Sequence, residues 1–241
     1  MPRRGRSFET EALVTGSRRY RDADQILTFY TRARGRLSAL AKGLRRPKSR
    51  LGGRLEPFSL VTVSLYEGRG SLYTVTGAET IRTFQRVRDS LFRIEEGARL
   101  LDDVRRHFPE EEGNEAAFNL LVRAVGRLGM AEDRQAAGRV VLAARLKLLV
   151  AHGYLPALGS CRHCGSDEFL CALDPSLGGV ICRSCYEAEA GDCFSLGREG
   201  LVTMQELLRR PLEESVAVPV SQAARGDVER TITRVFDYHG H

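Results

Sequence analysis

Apolar and polar positions alternate with a short period over the first third of the chain and with a helical period after it. Ala12 to Gly16, Gln25 to Thr31, Arg36 to Lys42, Phe58 to Glu67 and Ser71 to Ala78 are rich in Val, Leu, Thr and Tyr. Turn residues separate them, so each reads as a strand. Gly68-Arg69-Gly70, between the last two, reads as a hairpin turn. Five short strands within residues 1–80 predict a small β-barrel. The pattern alone does not separate an OB-type barrel from an SH3-like one.

After Thr80 the apolar residues recur three and four apart. Residues 83–107, 114–129 and 134–152 read as three amphipathic helices, the last with Val141, Ala144, Leu148 and Leu149 on one face. Breaks fall at Pro109 to Gly113 and Gly129 to Asp133, and Gly153 with Pro156 stops the third helix. Two further helices follow a cysteine-rich stretch, one carrying Leu201, Met204 and Leu208, the other Val228, Ile232, Val235 and Phe236. The expected class is therefore α+β and multidomain. A barrel domain over residues 1–80 precedes an α-helical domain over 81–241, in which a cysteine module is embedded at about 158–193.

Charge is distributed unevenly along the 241 residues. Residues 1–80 hold 16 basic and 7 acidic side chains, a surplus of +9, while residues 81–241 hold 21 and 24, a balance of −3. Within 32–54 there are nine basic side chains and no acidic one: Arg32, Arg34, Arg36, Lys42, Arg45, Arg46, Lys48, Arg50 and Arg54. Such a run neutralises phosphates and releases their counterions, which favours a polyanion and makes an OB-type barrel the expected fold. Gly43 and Pro47 make its densest part a loop. Arg18 and Arg19, with Arg21, form the other candidate contact for nucleic acid, and Tyr20, Phe29, Tyr30, Tyr66 and Tyr73 are candidates for stacking on bases, Tyr66 and Tyr73 foremost.

All six cysteines fall between 161 and 193, and no apolar run approaches a leader or a membrane helix, so metal thiolates are expected over disulfides. Cys161-x-x-Cys164 and Cys182-x-x-Cys185, 17 residues apart, have the spacing of a four-thiolate Zn2+ site. Four protein ligands leave no position open for water, so the ion is expected to be single and structural. Cys171 and Cys193 remain as free thiols, with Cys193 an alternative fourth ligand and His163 exposed inside the first knuckle. No phosphate loop, zincin helix or nucleophile elbow occurs, the other four histidines lie at helix ends (His107, His152) or at the C-terminus (His239, His241), and Asp102-Asp103 sits among arginines. Neither catalysis nor a small-molecule substrate is expected. Charge and metal pattern fit equally an RNA-binding OB/zinc protein of the translation machinery.

Two blocks resemble the RecO family of DNA repair proteins. The first is Asp24-Gln25-Ile26-Leu27-Thr28 leading to Gly35, Ala41-Lys42-Gly43-Leu44-Arg45-Arg46-Pro47-Lys48-Ser49-Arg50 and Leu55-Glu56-Pro57-Phe58. The second is His152-Gly153-Tyr154-Leu155-Pro156 leading into Cys161-x-x-Cys164-Gly165. The resemblance implies an OB-fold that binds single- and double-stranded DNA and a mediator that anneals complementary strands. It also implies action with RecR to load RecA onto DNA coated with the single-strand-binding protein SSB. A cytoplasmic, nucleoid-associated site of action follows, with no membrane partner. The acidic, apolar-ended SSB tail needs positive charge beside a pocket. Residues 122–147 carry six basic residues against Glu132 and Asp133, which makes Arg123 and Arg127, one helical turn apart near Leu120, Leu121 and Leu128, the candidate receptor.

Overall fold

The structure is a computed structural model that describes residues 6–47, 49, 51–68, 70, 72–154, 156–188 and 192–239. Of the positions singled out above, Lys48, Arg50, Arg69, Ser71, Leu155 and His241 lie outside the described residues. The chain divides into two compact units, Met1–Met130 and Ala131–His241.

The first unit is built on β1 (Arg6–Arg19), β2 (Gln25–Thr31), β3 (Gly35–Ala41), β4 (Leu60–Glu67) and β5 (Tyr73–Arg82). They close in the order β1-β2-β3-β5-β4, with β4 returning to β1. Every pairing is antiparallel except β3 with β5, where Ala39 faces Tyr73 and Leu40 faces Thr74 in parallel. This five-stranded arrangement is the OB-type barrel. β1 runs well beyond the expected Ala12 to Gly16 because it serves two neighbours: residues 6–13 pair with β4 and residues 12–19 with β2. Between Val14 and Gly16 the register shifts. There Arg105 donates to the Thr15 carbonyl, and a Cβ on Gly16 would lie 3.0 Å from the Arg105 side chain.

Inward positions of each strand fill the barrel with Val14, Leu27, Phe29, Leu37, Val61, Val63, Leu65 and Val75, while Ala12, Ala39 and Ala41 supply the small volumes its taper needs. The other face of β2 is buried too. Tyr30 packs edge-on to Phe108 at 5.3 Å and lies against Phe118 at 6.4 Å, and burial, reinforced by Glu112, raises its phenol pKa. The expected helix at 83–107 is broken into α1 (Gln85–Arg88) and α2 (Leu91–His107), followed by α3 (Glu115–Leu128). Asn114 caps α3 by accepting from the Ala117 N–H at 2.9 Å. α2 lies close to the barrel because residue 97 is glycine: a Cβ there would meet Phe58 at 2.7 Å and Leu128 at 2.9 Å.

The second unit centres on α4 (Arg134–Ala151), capped by Asp133 through the Ala136 N–H at 2.7 Å. Eleven of its 18 residues are buried, so it is the core helix of this unit, not the one-sided helix its period suggested. Gly153, at φ +75°, ends it. A small sheet follows, with β6 (Leu170–Asp174) between β7 (Gly179–Cys182) and β8 (Phe194–Ser195), and the short α5 (Arg183–Ala188) leaves β7. α6 (Arg198–Arg209), a 3₁₀ helix (Leu212–Ala217) and α7 (Gln222–His239) complete the unit. Among the described residues no helix is long and apolar enough to cross a membrane.

Candidate nucleic-acid groove and metal centre

The loop after β3 is fastened to the barrel before it offers any charge. Gly43, at φ +63°, donates its N–H to Asp24 Oδ1 at 2.8 Å, and the Arg45 N–H reaches the Ala23 carbonyl at 3.0 Å. Leu44, Leu51 and Leu55 pack onto the barrel core, and Arg54 donates to the Ala78 carbonyl of β5 at 3.1 Å. The two halves of the first sequence block thus meet in space: the aspartate of one holds the glycine of the other.

Held in this way, the loop forms one wall of an open groove of ≈ 770 Å³. Lys42, Arg46 and Arg54 line it from the loop, and Thr62, Ser64, Thr76 and Gly77 from outward positions of β4 and β5. Glu9 and Glu79 also border it, with Glu9 accepting from Ser64 Oγ at 2.6 Å. These floor residues and the two carboxylates were absent from the sequence reading, although the alternation of β4 already turned Thr62, Ser64 and Tyr66 to one side.

The remaining basic candidates are distributed differently. Arg45 is exposed and donates to the Asp22 carbonyl at 3.2 Å, and Arg18 and Arg19 are exposed at the end of β1, opposite Ile26 and Gln25. Arg32, Arg34 and Arg36 are engaged within the unit. Arg32 bridges Glu11 and Glu115 at 2.7 Å each and lies over the Phe118 ring. Arg34 lies over Phe8 at 4.1 Å, and Arg36 pairs with Glu110 at 2.9 Å and donates to the Phe108 carbonyl.

The stacking candidates divide as well. Tyr20 and Tyr66 are exposed at 49% and 40%. Phe29, Tyr30 and Tyr73 are buried, which corrects the expectation for Tyr73: its ring meets Phe8 edge-on and its hydroxyl donates to Glu111 at 2.6 Å. Arg123 is exposed and Arg127 half-buried on α3, but Leu121 and Leu128 are fully buried in the core. The other cations of 122–147 lie on α4 in the second unit, where Arg145 is buried and Lys147 donates to the Leu208 carbonyl at 2.8 Å.

In the second unit Cys161, Cys164, Cys182 and Cys185 converge, their four Sγ atoms lying within 4.8 Å of one another. The first knuckle turns through Gly165 at φ +79°, whose N–H reaches the Cys161 carbonyl at 2.9 Å. The second pair straddles the end of β7 and the start of α5. A tetrahedral ion with metal–sulfur bonds of about 2.3 Å needs sulfurs about 3.8 Å apart. Cys164 and Cys182 stand at 3.7 Å, so the cluster fits a tetrahedral thiolate-bound ion. Burial opposes ionisation of Cys161, but hydrogen bonds from the backbones of Cys164, Cys182 and His163 prevail and bring it down to about 6. The Cys185 thiol, hydrogen-bonded to Cys182 and the other two sulfurs, is pushed up to about 12. Cys193 stands outside the four and donates to Asp174 at 3.4 Å, and Cys171 and His163 are outside the cluster too.

An OB barrel with a cation-lined groove, carried in one chain with a helical unit that gathers four cysteine sulfurs, defines a class of multidomain OB-fold protein with a candidate metal-binding module. The chain matches the family models described as "Recombination protein O N terminal" over residues 6–84 and "Recombination protein O C terminal" over residues 88–240. It is 36% identical to "DNA repair protein RecO" of Rubrobacter xylanophilus, over 96% of this chain and 90% of that protein. It is 32% identical to the protein of the same name from Pelotomaculum thermopropionicum, over 96% and 89%. For that of Symbiobacterium thermophilum the identity is 31% over 94% and 89%. The chain belongs to the RecO family of DNA repair proteins.

Proposed function

We propose that the chain is a non-enzymatic recombination mediator. It binds single- and double-stranded DNA, anneals complementary strands and acts with RecR to load RecA onto SSB-coated DNA, inside the cytoplasm at the nucleoid. The observation that carries the reading is the groove, in which a loop pinned by Asp24 presents Lys42, Arg46 and Arg54 together on one wall. Three cations lining a groove can contact phosphates without reading bases, which is the requirement for a protein that handles any sequence. We assign Arg18, Arg19 and Arg45 to the approaches of that groove, and Lys48 and Arg50, outside the described residues, to DNA contact on the strength of the basic run alone. Arg32, Arg34 and Arg36 serve the barrel's own architecture, in keeping with their intramolecular partners.

The ion held by Cys161, Cys164, Cys182 and Cys185 is zinc, and its role is to hold the two knuckles together. For the SSB tail we propose Arg123 and Arg127 as the cationic contact alone, since Leu121 and Leu128 are buried in the core and do not reach the tail's apolar end. A labelled tail peptide should bind wild type more tightly than the Arg123→Glu, Arg127→Glu double variant at low salt. The test of the reading as a whole is competition between single-stranded DNA and a structured RNA for the purified chain. Preference for single-stranded DNA, together with accelerated annealing, supports it. Preference for the RNA with no annealing would replace it by a translation-associated RNA-binding role.

A further inference from the structure

Two carboxylates line the groove along with its cations, and a site that only held phosphates would have no use for them. Glu9 belongs to β1 and Glu79 to β5, and the strand register fixes where each stands. Glu9 faces Ser64 of β4, and Ser64 faces Gly77 of β5, so the three form one row across the sheet. Glu11, Thr62 and Glu79 form another. From the strand that feeds the loop, the order is β3, β5, β4, β1, with neighbours about 4.8 Å apart. Glu79 therefore lies on the strand that the loop crosses, whereas Glu9 lies about 10 Å beyond that strand, on the far side of β4.

The setting of Glu9 suits a base. Its row is open toward the loop, because Gly77 has no side chain and only the short Ser64 stands between. Its carboxylate is oriented, since Ser64 Oγ donates to Oε1 at 2.6 Å. Among the described residues no cation pairs with it, whereas Glu11, two residues along the same face, is taken by Arg32. A carboxylate only accepts hydrogen bonds, and within a DNA strand the donors are on the bases. Cytosine carries an amino donor at N4 where thymine carries the O4 acceptor. The ring N–H of thymine stands between two carbonyl oxygens, which repel a carboxylate that approaches it.

We propose that Glu9 is a base-contacting residue of the groove: it accepts a hydrogen bond from the exocyclic amino group of a base whose phosphate is held by the loop, so that the groove favours unpaired cytosine over thymine. The inference rests on the groove reading and deepens it from phosphate contact to base preference. The preference is graded. One such hydrogen bond changes affinity by about three- to tenfold, which leaves every sequence bound.

The experiment titrates labelled oligodeoxycytidylate and oligothymidylate, each of about 12 nucleotides, against the full chain at one salt concentration. Glu9→Ala supplies the baseline ratio of the two affinities, and thermal melting checks the fold of each variant. Wild type should exceed that baseline in favour of cytidylate by about three- to tenfold. Glu9→Gln keeps an oxygen to accept from Ser64 and adds an amide donor for thymine O4, so its ratio should fall to the baseline or below it. A wild-type ratio equal to that of Glu9→Ala, with both strands bound more tightly by the variant, would overturn the inference and leave the carboxylate a mere repeller of phosphates. A preference that moves with Glu79→Gln and not with Glu9→Gln would overturn it too. The Lys42→Ala, Arg46→Ala, Arg54→Ala variant keeps the two readings apart: it should weaken both strands and preserve their ratio. If it binds both like wild type, the groove reading fails, while a cytidylate preference that Glu9→Gln still removes would leave the Glu9 contact standing.

Discussion

Removing the three cations of the groove wall should change how DNA binding depends on salt more than it changes anything else. Lys42, Arg46 and Arg54 each neutralise one phosphate if a single strand follows the wall, and each contact contributes about −0.7 to the slope of log K against log salt. The Lys42→Ala, Arg46→Ala, Arg54→Ala variant should then bind with a slope flatter by about 2. Between about 50 and 200 mM salt, wild type should lose roughly 15-fold more affinity than the variant. The fold should hold, because Leu44, Leu51 and Leu55 still anchor the loop and the Asp24 to Gly43 hydrogen bond is untouched. Fluorescence anisotropy with a labelled oligothymidylate across a salt series measures the slope, and thermal melting checks the fold. Arg32→Ala is the informative control. It breaks two part-exposed ion pairs worth about 1 kcal/mol or less each, so it should lower stability slightly and leave the slope unchanged. A triple variant with the wild-type slope, or an Arg32 variant that flattens it, would move the strand off this wall and onto the β2–β3 side of the barrel.

Asp24→Ala removes the acceptor that holds Gly43 but no groove cation; stability should fall by about 1 kcal/mol and DNA affinity severalfold at constant salt slope, read by melting and by the same anisotropy series. Freshly purified protein should contain one zinc per chain by elemental analysis. Cys182→Ser or a strong chelator should remove it and forfeit binding free energy on the order of 10 kcal/mol, loosening the second unit, while anisotropy shows groove binding retained. Gly97→Ala forces a Cβ against Phe58 and Leu128, so overpacking should cost about 1–3 kcal/mol and lower the melting temperature without touching the DNA slope.

How much of this was legible depends on whether the signal is local. β2 runs over Gln25–Thr31 as its residue types and flanking turns predict, and α3 and α4 lie within a residue of their expected spans. Their caps, Asn114 and Asp133, and the stop at Gly153 are local chemistry. The cysteine cluster was legible to the atom, since two knuckle spacings restrict the sulfurs more than any distant contact can. β1 was read too short because its first half owes its conformation to β4, more than 50 residues away, and residues 6–11 have no clear alternation. The break between α1 and α2 carries no Gly or Pro, only Asp89 and Ser90, and β6 to β8 are too short for any period to show. Charge was countable but its destination was not. Arg32, Arg34 and Arg36 look like part of one basic run, yet Glu115 and Glu110, distant in sequence, claim Arg32 and Arg36, and the Phe8 ring holds Arg34. Tyr73 was misjudged for the same reason, as Glu111 gives its hydroxyl a partner that only the folded chain brings near.

The groove itself is a consequence of strand order. In the barrel β3 neighbours β2 and β5, whereas β4 lies between β5 and β1, so the chain leaving Ala41 must pass β5 before it can enter β4 at Leu60. A connection making that crossing lies against the barrel on its way, and Arg54 bonded to Ala78 of β5 marks the passage. Whatever charge the connection carries is then opposed to the outward residues of β4 and β5. Those residues are small: a Cβ on Gly77 would already come within 3.2 Å of Ser64 Oγ, and larger side chains on this floor would fill the space a strand needs. The lining carries both signs, Lys42, Arg46 and Arg54 from the loop and Glu9 and Glu79 from β1 and β5. For a strand in the groove, the loop cations are the groups that would draw the phosphates. Along the outward row of β4, two residues beyond Ser64, stands the exposed ring of Tyr66, where an unpaired base can stack at any sequence.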